Sequence, residues 1–147
     1  MLAAKAATST IPIVFTMSSD PVKLGLANSY NRPGGNVTGI TILSAFLEPK
    51  RLGLLHDLVP SAATMGFLVD SSFPLAADQI READDAARAI GVPIHALRVK
   101  SKRDIDEAFE TIAQQHIGAL AVGSSPFLDT CRDQLVALAA RGGAYDV

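Results

Sequence analysis

The 147-residue chain has no tryptophan, two tyrosines and a single cysteine. So few aromatic rings argue against a platform for stacking nucleic-acid bases. One thiol, Cys131, excludes an internal disulfide and carries no signal about redox compartment. It lies in a helical segment, Leu128 to Arg141, and reads as a small buried helix residue; a nucleophile would need an activating base beside it. No apolar run approaches the length of a membrane span. The formal net charge is −2, with acids and bases interspersed, so no basic surface points to nucleic acid. No Gly-x-Gly-x-x-Gly follows a strand, and there is no P-loop and no nucleophile elbow. His56, His95 and His116 are scattered over a helix, a strand and a helix end, without metal-ligand spacing. These absences imply no metal, no cofactor and no enzyme activity.

What the chain has is apolar content, 48% against 19% charged, in one ordinary domain length with enough chain for a core. Met1 to Ala7 resembles a signal peptide superficially, but no apolar stretch precedes Thr8-Ser9-Thr10, so it reads as a helix end and not as a signal peptide. A first strand follows at 11–16, apolar enough to be buried on both faces. A short helix is expected from Val22 to Ser29, stopped by Asn31-Arg32-Pro33-Gly34-Gly35-Asn36. Val37 to Ile42 reads as a β-branched strand. From Phe46 the pattern is regular. A leucine stripe predicts a helix ending before Pro60, then a strand over Met65 to Val69. A helix with Pro74 in its first turn ends at Gly91, and a strand follows over Val92 to Val99. A helix capped by Ser101 with Asp104, a strand from Ile117 to Val122, and a last helix opened by Pro126 complete the order. Strands alternating with helices imply an α/β fold: a doubly wound, mainly parallel sheet in a three-layer α/β/α arrangement. Two features interrupt this regularity. The Pro-Gly-Gly turn sets the first strand and helix apart, and the tail Gly142 to Val147 trails off where another strand is expected, so both ends read as cut.

Three of the strands end in a serine pair near a proline: Ser18-Ser19 before Pro21, Ser71-Ser72 before Pro74, and Ser124-Ser125 before Pro126. In a parallel α/β sheet, ligands bind beyond the carboxyl ends of the strands. Small hydroxyls there suit a small polar ligand, and Ser18, Ser71 and Ser124 together are the candidate contacts. Taken singly, Ser72, Ser101 and Ser125 are better explained as helix caps. Asp84 and Asp85 are adjacent on a helix and read as solvated, with Arg81 and Arg88 near for weak ion pairs. Asp70 ends a strand as a phosphoacceptor would, but no acid pair and no strand-end lysine accompany it.

The stretch Ile11-Pro12-Ile13-Val14-Phe15, then Asp20-Pro21-Val22, Gly25-Leu26, Asn31 to Gly39, and Lys50-Arg51-Leu52 resembles a known family. It is similar to the ABC-transporter substrate-binding proteins of the tryptophan/tyrosine-binding type, which have a type I periplasmic-binding fold. Arg-Pro-Gly-Gly-Asn-Val-Thr-Gly is its most specific part, and the likeness extends more loosely to about Leu138. The resemblance implies two α/β lobes clamping a ligand, in a protein of greater length than this chain. Residues 1–35 would be a remnant of the first lobe and 36–147 most of the second. It implies a small-molecule solute such as an amino acid, an ABC permease as partner of the intact parent, and a periplasmic or extracytoplasmic location. Ligand contacts carried over are Ser18 and Asp20 from the first lobe, and Ser71, Ser72, Phe73, Ser124, Ser125 and Phe127 from the second. Hydroxyls and amides would take the ligand carboxylate, Asp20 its ammonium, and the phenylalanines its apolar part. A severed lobe would leave apolar surface exposed, which predicts a homodimer or domain swap through residues 1–45. The alternatives are a flavodoxin-like or phosphoacceptor signalling domain, or an interaction domain without a ligand.

Overall fold

A computed structural model describes residues 2–17, 20–42 and 47–141. The chain forms two compact units, residues 1–46 and 47–147. The sequence placed the division of lobes at 35/36. The strand after that point packs within the first unit, where its hydrogen-bonding partner lies.

In the first unit, helix α1 (Leu2–Ala7) precedes strand β1 (Ile13–Met17), which pairs in parallel with β2 (Val37–Thr41). The Arg-Pro-Gly-Gly-Asn motif ties this pair together. The Asn36 side-chain amide donates to the Thr8 and Ile11 carbonyls at 3.2 and 2.7 Å, and the Asn36 carbonyl accepts from Ile13 N–H at 2.8 Å. The asparagine therefore sets where β1 begins. The helix expected from Val22 to Ser29 does not form. One turn starts at Asp20, whose carboxylate accepts from the Val22 and Lys23 N–H groups at 2.8 and 3.1 Å. It closes at Gly25, where φ is +68°, a backbone state that glycine tolerates and a continuing helix cannot use. Lys5 donates to the carbonyls of Gly25 and Leu26, completing the turn's end.

The second unit follows the expected alternation. Its elements are α2 (Glu48–Leu58), β3 (Met65–Asp70), α3 (Ala76–Ile90), β4 (Ile94–Val99), α4 (Lys102–Gln114), β5 (Ala119–Val122), α5 (Pro126–Thr130) and α6 (Arg132–Arg141). The strand order is β4-β3-β5, all parallel. Every residue of the central strand β3 is buried. Its alternate side chains serve two cores. Met65, Phe67 and Val69 pack with Leu52 of α2, Ala76, Ala83 and Ala86 of α3, and Ala119 and Ala121 of β5. Leu68 packs on the other face with Leu97, Ile105, Ala108, Leu128 and Cys131. The period of two in β3 thus builds the three-layer α/β/α arrangement.

Two strands start later than their apolar runs suggest, for the same reason. Val92 N–H returns to the Ala87 carbonyl at 3.1 Å to close α3 beyond Gly91, and Pro93 has no N–H, so β4 opens at Ile94. Likewise Ile117 N–H closes α4 on the Ile112 carbonyl at 3.0 Å, with His116 at a φ of 53°, and β5 opens at Ala119. Helix α3 starts at Ala76, leaving Pro74 in the preceding turn. The last helix is broken at Cys131, where the N–H bonds tightly to the Leu128 carbonyl and the thiol side chain drops into the core. The Ser101 cap forms as expected. Its hydroxyl accepts from Asp104 N–H and donates to the carboxylate, which also accepts from Lys100 N–H. Those hydrogen bonds, Ser101 first, hold the Asp104 carboxyl below its usual range. Arg88 pairs with Asp85, whereas Arg81 pairs with Asp78 at 2.6 Å and leaves Asp84 aside.

Candidate functional site

Because β3, β4 and β5 are parallel, the loops that follow them emerge at one edge of the sheet. The structure brings two of the serine pairs together there. Ser71, Ser72 and Phe73 follow β3, and Ser124, Ser125 and Phe127 follow its neighbour β5. Ser18 lies outside the described residues. Asp20 belongs to the first unit, where it is buried and caps its own turn. Tyr30 is bonded to Asp20, and its hydroxyl pKa is raised, first by desolvation and then by the Asp20 hydrogen bond and charge.

The rim serines of the second unit are not equivalent. Ser71 is exposed, and its hydroxyl donates to the Val99 carbonyl at 3.2 Å. Ser72 is exposed and donates to Asp70 Oδ1 at 2.5 Å; the same oxygen accepts Ser72 N–H at 2.9 Å. It caps no helix, since α3 begins beyond Leu75 with no side-chain cap. Ser125 is 1% exposed and accepts from Leu128 N–H at 3.1 Å. That side chain is a helix cap. Phe127 is partly buried against the Leu68 and Leu128 core, so its ring serves packing first. Asp70, the candidate phosphoacceptor, is 3% exposed with an oxygen occupied by Ser72, and no group of three metal-capable side chains occurs among the described residues.

Ser124 stands on supports that sequence reasoning missed. Glu48, fully buried at the first turn of α2, accepts the Ser124 hydroxyl at 3.0 Å, and its other oxygen accepts from Arg51 at 3.1 Å. Burial pushes the Glu48 carboxyl up, opposed by the Arg51 charge and the Ser124 hydrogen bond. Gln79 of α3 is also buried, and its amide donates to the Ser124 carbonyl at 2.7 Å. Glu48 lies 76 positions from Ser124 and Gln79 lies 45, so no local spacing signals either contact. The only hint is an acid beside Pro49 at a helix start, which equally marks an ordinary first turn. Beside the loop, a surface pocket of about 280 Å³ is lined by Arg51, Ser124, Arg132, Leu128, Leu135 and Val136. Among the described residues, the arrangement offers hydroxyls, an amide-braced loop and two arginines, with no nucleophile beside an activating base.

In a parallel α/β unit, the polar loops beyond the carboxyl ends of the strands are where small ligands generally bind. The family described as ABC transporter substrate binding protein matches residues 2–125, and this chain belongs to it. The tyrosine-binding protein of Clostridioides difficile is 31% identical over 111 residues, which cover 75% of this chain and 31% of the relative. Among solved structures, an ABC domain in complex with L-Trp from Streptococcus pneumonia superposes with a TM-score of 0.79 at 22% identity. That alignment covers 94% of this chain and 46% of the other. A conserved domain protein from Vibrio cholerae has a TM-score of 0.82 at 24% identity, covering 95% of this chain and 46% of its own. At those identities the structures show the fold. The chain spans less than half the length of each of these relatives.

Proposed function

We propose that this chain is a substrate-binding component, or part of one, of an ABC importer, taking an amino acid in a cleft between two lobes. The observation that carries the reading is the shared edge at which Ser71, Ser72 and Phe73 lie beside the Ser124 loop. The tyrosine-binding and L-Trp-bound relatives make an aromatic amino acid the first ligand class to test. Residues 1–35 would derive from one lobe and 36–147 from the other. Ligand contacts made to both lobes only on closure would shift the population to the closed state, which a membrane permease would receive at the extracytoplasmic face. The chain itself would carry out no catalysis. The buried, serine-bonded Asp70 disfavours the phosphoacceptor alternative.

Thermal unfolding with L-tyrosine and L-tryptophan tests this. Ligand at a hundred times its dissociation constant is expected to add about 2.7 kcal/mol, a rise of roughly 9 °C for a chain of this size. Unchanged unfolding with every one of the common amino acids at millimolar concentration overturns ligand binding by this chain.

The same reading includes self-association through residues 1–45. On the two-stranded β1–β2 sheet, Val14, Ile40 and Ile42 are 77%, 69% and 62% exposed. Apolar strand surface of this kind favours pairing with a second copy. Light scattering at micromolar concentration is expected to give a dimer mass. A monodisperse monomer, with amides of residues 13–17 protected from exchange, rules the dimer out.

A further inference from the structure

We propose that Glu48 is a positioning residue that sets the polarity of the ligand rim: by holding the Ser124 hydroxyl proton, it leaves that oxygen to receive the ammonium or another N–H donor of the ligand, not its carboxylate. The ligand half of this proposal rests on the amino-acid reading above. The polarity half rests on hydrogen-bond chemistry alone. A backbone carbonyl and an ionised carboxylate can only accept. Ser71 therefore donates to the Val99 carbonyl, and Ser72 donates to Asp70. Ser124 donates to one oxygen of Glu48, and the Arg51 guanidinium pairs with the other at 3.1 Å. Three rim hydroxyls thus turn their protons inward and keep lone pairs for whatever binds.

Gln79 has the same polarity. Its N–H is committed to the Ser124 carbonyl, which fixes its oxygen as an acceptor. That oxygen is buried without a hydrogen-bond partner, and it lies 3.2 Å from the place a side chain on Gly123 would occupy. The three rim hydroxyls are matched to N–H groups, which reverses the carboxylate role that hydroxyls at this edge first suggest.

Glu48 makes this polarity depend on pH. The charged groups facing it are Arg51 on its own helix and Glu82 on α3, with the Ser124 hydroxyl meeting it from the loop after β5. Burial disfavours its charge, so as pH falls it takes up a proton before an ordinary glutamate does. A protonated Glu48 becomes the donor to Ser124, and the serine proton is released to point outward. Acid thus converts Ser124 from acceptor to donor.

Two measurements on the whole chain separate the halves. In the first, carbon-detected resonances of the Glu48 carboxyl and the Ser124 side chain are followed without ligand from about pH 4 to 8. Ser124 is expected to shift in step with Glu48, and the step should vanish in Glu48→Gln. A Ser124 signal that stays flat through the Glu48 titration overturns the proposal. In the second, tryptamine and indole-3-propionate, which lack the carboxylate and the ammonium respectively, compete for binding at neutral pH. Tryptamine is expected to bind at least about tenfold tighter, a preference lost in Glu48→Gln and on acidification. Tighter binding of indole-3-propionate overturns the assignment. Coupled titration with no response to any indole compound overturns the aromatic amino-acid reading while upholding the Glu48–Ser124 link.

Discussion

Gly39→Val is expected to abolish the β1–β2 pairing. Gly39 lies opposite Phe15 in the parallel register. A Cβ at this position would fall 2.2 Å from the Phe15 carbonyl oxygen and 2.6 Å from the first carbon of its ring. Neither obstacle is a flexible side-chain tip. The oxygen belongs to the paired backbone, and the ring is 5% exposed, so the strands must separate or slip. A slip by one residue would turn each side chain of β2 to the opposite face. Overpacking of this kind costs about 1–3 kcal/mol, and more where the backbone cannot move. A sheet of two strands has little stability in reserve. Hydrogen exchange is the natural readout: residues 13–17 and 37–41 should lose their protection while 65–70 keep theirs. Unchanged protection at 13–17 in Gly39→Val would refute the steric argument. The result also bears on the Arg-Pro-Gly-Gly-Asn-Val-Thr-Gly string. Its specificity is structural, since Asn36 anchors the start of β1 and Gly39 admits the Phe15 ring.

The contrast between legible and hidden parts follows from the range of the interactions. Strands β3 to β5 were readable because an apolar run between two helical stripes admits few other arrangements. The Ser101 cap and the Gly91 stop were readable because each is completed within a few residues. The helix expected at Val22 was not, because Asp20 and Gly25 close a single turn between them and Lys5, distant in sequence, caps its end. The break at Cys131 was likewise hidden: no proline or glycine marks it, and only the pull of the thiol into the core explains it. At the candidate site, the serines were visible as strand-end residues. The hydrogen-bond directions of Ser71 and Ser124 were not, because the acceptors that take their protons come from Val99 and Glu48, far along the chain. Composition can place a hydroxyl at an edge, but only the fold decides which way its proton points.

Phe67→Ala is expected to be the most damaging single change in the second unit. Phe67 has no exposed surface and sits mid-strand in β3, opposite Ala96 on one side and Ala121 on the other. Both cross-strand partners are alanines, too short to fill the space once the ring is removed. Truncating a buried phenylalanine costs about 3–5 kcal/mol. Set against a total stability of about 5–15 kcal/mol, that is a large share. The ring also reaches the ligand edge. Its tip would lie 3.1 Å from a Cβ on Gly123, the residue that joins β5 to the Ser124 loop and bonds to the Leu68 carbonyl at 2.8 Å. Removing it opens a void directly beneath that loop. Urea unfolding followed by far-ultraviolet circular dichroism measures the first effect, a suitable probe for a chain without tryptophan. A loss below about 1 kcal/mol would mean that the surrounding helices collapse into the space, contrary to the close packing assigned to this core. The second effect is read in the same variant below its unfolding midpoint. Exchange at the Gly123 and Ser124 amides should quicken more than at β4, because the loop loses its floor while β4 keeps its hydrogen bonds and the packing of Leu97 and Val99 with Ile105. Equal acceleration at β4 and at the loop would make Phe67 a residue of general stability, with no particular hold on the ligand edge.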